Sequence, residues 1–313
     1  MSSSLVLADK VPPALAEKLA NDYQLCFYTQ SSPEEIQAIS EQTEIIVASG
    51  ESTVNAEMIS RFPNLKLIAV FGVGYDGIDV ATAISKNIQV TNTPDILTDD
   101  VADLGFALLL NASRRINAAQ RFIEQGHWAS GSFPLASKVT GKRLGIVGYG
   151  RIGQAIAKRA RGFSMSVACF SRHPVSDQDV KWYGDLTELA HHSDILVVCV
   201  SANPETRGLI NKQVLTALGP QGILINISRG SVVDEAALVD AITHGDIGGA
   251  GLDVFAAEPS VPEALLNRPE VVLTPHIASG THETRADMAK LVTDNITAFL
   301  NGQPLLTPVT PKA

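Results

Sequence analysis

A chain of 313 residues with 45% hydrophobic and 18% charged positions has room for two globular domains with their own cores, and its composition excludes a disordered or fibrous protein. The formal net charge of −9 argues against a nucleic-acid or anionic-membrane partner, since both need clustered cations. Met1-Ser2-Ser3-Ser4 does not open a signal-peptide pattern, no apolar run is long enough for a bilayer, and Cys26, Cys169 and Cys199 lie in apolar strand-like runs; this predicts a cytoplasmic protein with buried, reduced thiols.

In chain order, short β runs at 5–8, 25–28, 45–48, 67–70 and 89–91 alternate with helical patterns at 13–21, 33–40, 56–62 and 80–85. Strands separated by helices predict a parallel sheet with helices on both faces. The first βα turn has no glycine fingerprint, so this half is not expected to bind a nucleotide. Its informative loop is Phe71-Gly72-Val73-Gly74-Tyr75-Asp76-Gly77-Ile78-Asp79, beyond the carboxyl end of a strand, where open α/β sheets take ligands. Its glycines suit two readings: a set of exposed N–H groups for a carboxylate, or a turn that needs positive φ at several residues.

Pro94 then ends an extended segment, Thr98 is a suitable N-cap, and Asp99 and Asp100 complement the positive end of a helix dipole. A single helix is expected from Thr98 to about Gln125, with the chain passing between domains near Leu97, and a loop from Gly126 to Gly141 follows. The predicted division is 1–98 with 288–313 as a substrate-binding domain and 99–287 as a dinucleotide-binding domain.

The second half opens on Lys142-Arg143-Leu144-Gly145-Ile146-Val147-Gly148-Tyr149-Gly150-Arg151-Ile152-Gly153. A buried strand breaks into three glycines before a helical pattern begins at Ile152. Gly148 permits the tight turn, Gly150 lets the backbone approach a pyrophosphate, Gly153 packs helix on strand, and the N–H groups of the helix start, from Tyr149 through Arg151 and Ile152, face the phosphates. A plain strand-to-helix turn would also use glycines, but the helix and the next strand, 165–170, supply the dinucleotide-binding context. At the end of that strand an NAD-binding chain places an acidic residue for the ribose 2′-OH. Here Ser171 stands in its place and Arg172 follows with a cationic fork suited to a phosphate, which points to NADP(H) over NAD(H), unless Arg172 is only a solvated loop residue.

Strands at 195–200, 222–227, 249–253 and 271–273, with helices at 186–191, 212–218 and 235–244, complete a second doubly wound sheet, and a last amphipathic helix spans about 281–301. Three segments fall at its strand ends: Asn226-Ile227-Ser228-Arg229-Gly230, Gly251-Leu252-Asp253-Val254-Phe255-Ala256-Ala257-Glu258-Pro259 and Leu273-Thr274-Pro275-His276-Ile277-Ala278-Ser279-Gly280. An arginine, a glutamate and a histidine converging there supply an anion clamp, a charge partner and a proton donor. No Cys/His spacing suggests zinc.

At these motifs, and at Asn92-Thr93-Pro94-Asp95-Ile96-Leu97-Thr98-Asp99-Asp100-Val101-Ala102-Asp103, Phe170-Ser171-Arg172 and Gly248-Gly249-Ala250-Gly251-Leu252-Asp253-Val254-Phe255, the sequence resembles the D-2-hydroxyacid dehydrogenases over nearly its whole length. The resemblance is nearest to the NADP-dependent glyoxylate/hydroxypyruvate and hydroxyphenylpyruvate reductases. It implies two doubly wound α/β domains, flavodoxin-like and Rossmann, with a cleft between them, and usually a homodimer clasped through the cofactor domains. It further implies that Arg229 orients the 2-oxoacid, that His276 protonates the carbonyl oxygen with Glu258 as its partner, and that Val73 and Gly74 cradle the carboxylate. Asp253 would contact the nicotinamide carboxamide and Ile227 would line its pocket. The competing functions on the same fold are a dinucleotide-sensing co-repressor-like scaffold, disfavoured by the lack of long flanking tails, and an NAD-dependent formate or phosphite dehydrogenase, disfavoured by Ser171-Arg172.

Overall fold

The computed structural model describes residues 4–310, so the segment Met1-Ser2-Ser3, from which the lack of a signal peptide is expected, lies outside the described residues. The chain divides into two compact units, Met1–Leu97 with Thr281–Ala313 and Thr98–Gly280.

In the first unit the strands β1 (Ser4–Leu7), β2 (Gln24–Phe27), β3 (Ile45–Ser49), β4 (Leu67–Phe71) and β5 (Gln89–Thr91) alternate with the helices α1 (Pro13–Ala20), α2 (Pro33–Ile39), α3 (Ala56–Ser60) and α4 (Val80–Ser85). The sheet is parallel throughout, in the order β2-β1-β3-β4-β5. β3 and β4 are buried along their whole length, which is why they read as unbroken apolar runs instead of alternating ones. Ile46, Ala48, Ile68 and Val70 pack with Met58, Ile59 and Phe62 of the α3 region. Burial of one such large side chain contributes about 1.5–3 kcal/mol, so these rows set the register.

The second unit contains α5 (Thr98–Arg114), α6 (Ile116–Glu124), β6 (Arg143–Val147), α7 (Arg151–Gly162), β7 (Ser166–Phe170), β8 (Val180–Tyr183), α8 (Leu186–His191), β9 (Ile195–Val198), α9 (Lys212–Leu218), β10 (Ile223–Asn226), α10 (Glu235–His244), β11 (Gly249–Leu252) and β12 (Val271–Leu273). Its seven strands run parallel in the order β12-β11-β10-β9-β6-β7-β8. The chain therefore reverses direction across the sheet between β6 and β9, and such a switch point opens a crevice beyond the carboxyl ends.

Four features differ from the sequence expectation. The helix expected over 98–125 breaks at Arg115, whose φ of 54° is left-handed and cannot continue a right-handed helix. β8 was not expected, because Val180-Lys181-Trp182-Tyr183 is a short edge strand that carries a lysine between its apolar positions. The last helix, α11 (His282–Leu300), is continuous and packs on β4 of the first unit, so the chain returns to that unit at Thr281 instead of 288; Thr281 caps the helix by accepting the Thr284 N–H. Of the cysteines only Cys169 is buried, while Cys26 and Cys199 are partly exposed. Among the described residues no helix is long and apolar enough to cross a membrane.

Candidate active site

β6 delivers the chain into the glycine turn, where three glycines are needed for different reasons. Gly148 has a φ of 96°, and a Cβ there would lie 2.9 Å from the Val200 backbone nitrogen. A Cβ on Gly153 would come within 2.2 Å of the Gly148 carbonyl oxygen, so only glycine lets the first turn of α7 close on the strand. Gly150, the N-cap of this helix of 12 residues, has an ordinary φ of −78°, and a Cβ there would meet no atom within 4 Å. Nothing in the protein demands a glycine at 150; a bulky anion brought against the N–H groups of Arg151 and Ile152 does. The turn therefore fits a dinucleotide pyrophosphate. Cys199 supports it by donating its thiol to the Gly148 carbonyl at 3.1 Å, and burial pushes that thiol up to about 12, so it stays a donor.

The Tyr149 ring is buried, and its hydroxyl donates to Asp177 Oδ2 at 2.8 Å. The end of β7 carries no acid. Ser171 Oγ donates to the His173 carbonyl at 2.7 Å, the Trp182 indole N–H donates to the Ser171 carbonyl at 3.1 Å, and Arg172 is exposed.

At the opposite half of the sheet, the carboxyl ends of β10, β11 and β12 carry the three candidate catalytic side chains. Beyond β10, buried Ile227 leads to Arg229, whose Nη1 donates to the Ser228 carbonyl at 2.8 Å. Asn226 shapes this turn, since its Nδ2 donates to the Arg229 carbonyl and its Oδ1 accepts from the Ser228 N–H. Gly230 then presses on the neighbouring loop so closely that a Cβ would sit 1.9 Å from the Phe255 carbonyl carbon. That loop places Glu258, which accepts the Phe255 N–H on Oε1 at 2.9 Å and faces His276 Nδ1 from Oε2 at 2.8 Å. His276 and Glu258 are both partly buried, with 27% and 22% of their side chains exposed.

His276 has a φ of 52°, a conformation that costs a non-glycine residue about 1–3 kcal/mol and that is kept only where the surroundings impose it. Asp253 imposes it. Its carbonyl accepts the His276 N–H at 2.9 Å, and its fully buried carboxylate accepts from Thr274 Oγ1 (2.7 Å), Ile277 N (2.9 Å) and Ala278 N (2.9 Å). Burial pushes the Asp253 carboxyl above its ordinary range, against the pull of these three donors and of His276.

In the first unit, Val73 and Gly74 lie in the loop after β4. Gly72 has a φ of 146° and exchanges hydrogen bonds with Thr93, and Asn92 Nδ2 donates to the Val73 carbonyl at 2.9 Å. A Cβ on Gly77 would fall 2.2 Å from the Ser52 carbonyl oxygen, so close approach, and not φ, requires that glycine. The loop is thus held by Gly72, Gly77, Ile78 and Asp79, whose N–H groups all donate, and by the Gly72, Val73, Tyr75 and Gly77 carbonyls, whereas no hydrogen bond among the described residues takes the Val73 or Gly74 N–H.

All the candidates of the second unit lie at strand carboxyl ends of one sheet. Sequence reasoning missed Asn226, Thr274 and Asp177, whose roles depend on hydrogen bonds across loops. The available signal was a polar residue closing an apolar strand, as Asn226 does.

The model of the D-isomer specific 2-hydroxyacid dehydrogenase NAD-binding domain matches residues 106–278. The chain is 46% identical over 284 residues to the hydroxyphenylpyruvate reductase of Plectranthus scutellarioides, covering 90% of this chain and 91% of that one. It is 48% identical over 264 residues to a glyoxylate/hydroxypyruvate reductase of Arabidopsis thaliana, with 84% of each covered. The crystal structure of the NADPH-dependent glyoxylate/hydroxypyruvate reductase of Sinorhizobium meliloti, in complex with NADP and malonate, superposes with a TM-score of 0.91 at 39% identity and 100% coverage of both chains. Similarity of this extent, over both units and through the loops just described, makes the chain a member of the D-isomer specific 2-hydroxyacid dehydrogenases.

Proposed function

We propose that this protein reduces small 2-oxoacids, with glyoxylate, hydroxypyruvate and hydroxyphenylpyruvate as the first candidates, to D-2-hydroxyacids with NADPH. The observation that carries the reading is the His276–Glu258 pair: Nδ1 faces a carboxylate oxygen at 2.8 Å, which orients the ring and favours its protonated form, the form a general acid needs. The chemistry that bound NADPH would supply is a hydride to the carbonyl carbon. His276 delivers the proton to the carbonyl oxygen, Glu258 holds the ring and its charge, and Arg229 clamps the carboxylate and aims the carbonyl. The N–H groups of Val73 and Gly74, in the first unit, are a further carboxylate-binding element of the substrate site.

Gly148, Gly150 and Gly153, with the backbone of Tyr149, Arg151 and Ile152, hold the pyrophosphate, and Ser171 and Arg172 hold the 2′-phosphate. Ile227 walls the nicotinamide. Contact between Asp253 and the nicotinamide carboxamide, which the resemblance implies, would need this 0% exposed carboxylate to be uncovered on cofactor binding. The protein works as a homodimer, supported by α6 and the chain that follows it, where Ile116 and Ile123 of the helix and Trp128 and Leu135 beyond it are 52%, 57%, 68% and 97% exposed. A cytoplasmic setting is supported by Cys26, Cys169 and Cys199, all free thiols.

The test is the loss of NADPH absorbance on addition of each 2-oxoacid, repeated with NADH. Turnover with NADPH well above that with NADH is expected; no turnover with any 2-oxoacid would refute the assignment.

A further inference from the structure

Ser171 and Arg172 open a loop that contains no helix or strand between β7 and β8, yet the loop is tied down at both ends. Near its start, Ser171 Oγ bonds the His173 carbonyl and Trp182 of β8 bonds the Ser171 carbonyl. Toward its end stands Asp177. One of its oxygens accepts from both the Tyr149 hydroxyl and Arg161 Nη2, each at 2.8 Å, and the other accepts the Asp179 N–H at 3.1 Å. Tyr149 is the side chain between the first two glycines of the dinucleotide turn, and Arg161 lies in the last turn of α7. A single carboxylate thus joins the pyrophosphate turn, the far end of its helix and the loop proposed for the 2′-phosphate.

We infer that Asp177, held by Tyr149 and Arg161, is a positioning residue for cofactor choice, fixing the 171–179 loop so that Ser171 and Arg172 are already in place for the 2′-phosphate. The inference rests on the reading of Ser171 and Arg172 as the phosphate grip. A loop without regular structure must otherwise be ordered as the cofactor binds, and that ordering is subtracted from affinity. Only the phosphate end of the cofactor gains from the ordering, so NADPH benefits and NADH does not.

The arrangement also manages charge. A carboxylate loose on this loop would repel a phosphate dianion, whereas one engaged by a guanidinium and a hydroxyl is largely neutralised. Both partners keep the protonation the lock requires: burial and the Asp177 contact push the Tyr149 hydroxyl well up, and the Tyr149 hydrogen bond, the Asp179 N–H and Arg161 hold the Asp177 carboxyl below its usual range.

The test compares NADPH and NADH dissociation constants, by nucleotide fluorescence on the full chain, for Asp177→Ala, Asp177→Asn, Arg172→Ala and the double variant Asp177→Ala with Arg172→Ala. Asp177→Ala should weaken NADPH about five- to tenfold and leave NADH within about twofold, the scale of one or two side chains newly ordered on binding. Asp177→Asn can keep the Asp179 N–H on its amide oxygen and turn its NH2 to the Tyr149 hydroxyl, but sets that NH2 against Arg161, so it should weaken NADPH less than Asp177→Ala and leave NADH within about twofold. The double variant should bind NADPH no more weakly than Arg172→Ala alone, because both changes act on one contact. If Arg172→Ala is selective for NADPH but Asp177→Ala is silent or affects both cofactors equally, the lock is refuted and the phosphate grip stands. If both Asp177 substitutions tighten NADPH, Asp177 acts only as a charge and the lock is likewise refuted. If Arg172→Ala is not selective, the phosphate grip and this inference fall together.

Discussion

The Asp253 carboxylate accepts the N–H of Ile277 at 2.9 Å, so the residue that follows His276 is fastened to the end of β11. With Thr274 and Ala278 on the same carboxylate, and the His276 N–H on the Asp253 carbonyl, one buried side chain dictates the path of the whole proton-donor loop. Asp253→Asn replaces one acceptor with an NH2 group that faces a donor. Leaving one such buried donor unpaired costs about 1–3 kcal/mol. Urea unfolding should show a loss of that size in the second unit, and kcat should fall even at pH values where His276 is charged, since the left-handed backbone at His276 loses its support. Unchanged stability and unchanged kcat would show that the loop keeps its path without Asp253.

The acid limb of stability offers a separate check on the sheet. Arg143 donates to Asp194 from its backbone N–H and from Nη2, both at 2.8 Å, tying the start of β6 to the chain just before β9. The Arg143 side-chain hydrogen bond, opposed by partial burial, holds the Asp194 carboxyl below its ordinary value of 3.8. A depressed carboxyl stabilises the fold at pH above the unfolded value and loses that contribution as pH falls through the folded one. The second unit should therefore lose this stability only below about pH 4. Asp194→Asn should remove it at neutral pH, and because the Arg143 side chain is 52% exposed the loss should be under about 1 kcal/mol. An acid-unfolding midpoint that does not respond to this substitution would contradict the pairing.

The sheets were legible in the sequence where burial is complete on both faces. β3, β4, β9 and β10 are buried along their whole length and read as apolar runs, closed only at the end by Ser49 in β3 and Asn226 in β10, and the glycine turn is legible because Gly148 and Gly153 satisfy local geometry. β8 was hidden, since an edge strand with exposed Lys181 lacks that signature. The break at Arg115 was hidden as well, because neither glycine nor proline marks it. In the site, Arg229, Glu258 and His276 were visible as functional residue types at strand ends. Asp253 as a loop anchor and Asp177 as a clasp were not, because each is defined by donors that lie up to 28 residues away in the chain.

α6 makes a prediction about assembly. None of its residues is buried, and Ile116 and Ile123, two turns apart, expose apolar side chains on one face. A second copy covering this face would bury them, so Ile123→Lys should shift the protein from dimer to monomer in light scattering while the far-ultraviolet circular dichroism is kept. A monomeric parent protein would end the homodimer assignment.

The last prediction separates the two charged residues of the proposed chemistry. His276 acts only as the carbonyl becomes an alkoxide, so His276→Ala should remove most of kcat, about 10²–10⁴-fold for a lost general acid, and leave NADPH affinity unchanged. Arg229 acts before and during that step. Arg229→Ala should raise KM and lower kcat together, because the substrate is both held less tightly and aimed less well. The pH profiles then identify the acid. Reduction needs a protonated His276, so the rate falls as pH rises and the imidazolium is lost, while oxidation of the hydroxyacid gains over the same range. Glu258 Oε2, 2.8 Å from Nδ1, favours the imidazolium; Glu258→Gln removes that charge and should move the falling limb of reduction to lower pH. Arg229→Ala leaves the His276–Glu258 pair in place and should lower the curve without moving its limb. A limb that stays put in Glu258→Gln, or a His276→Ala enzyme that still reduces hydroxypyruvate near the parent rate, would mean that the proton comes from another group.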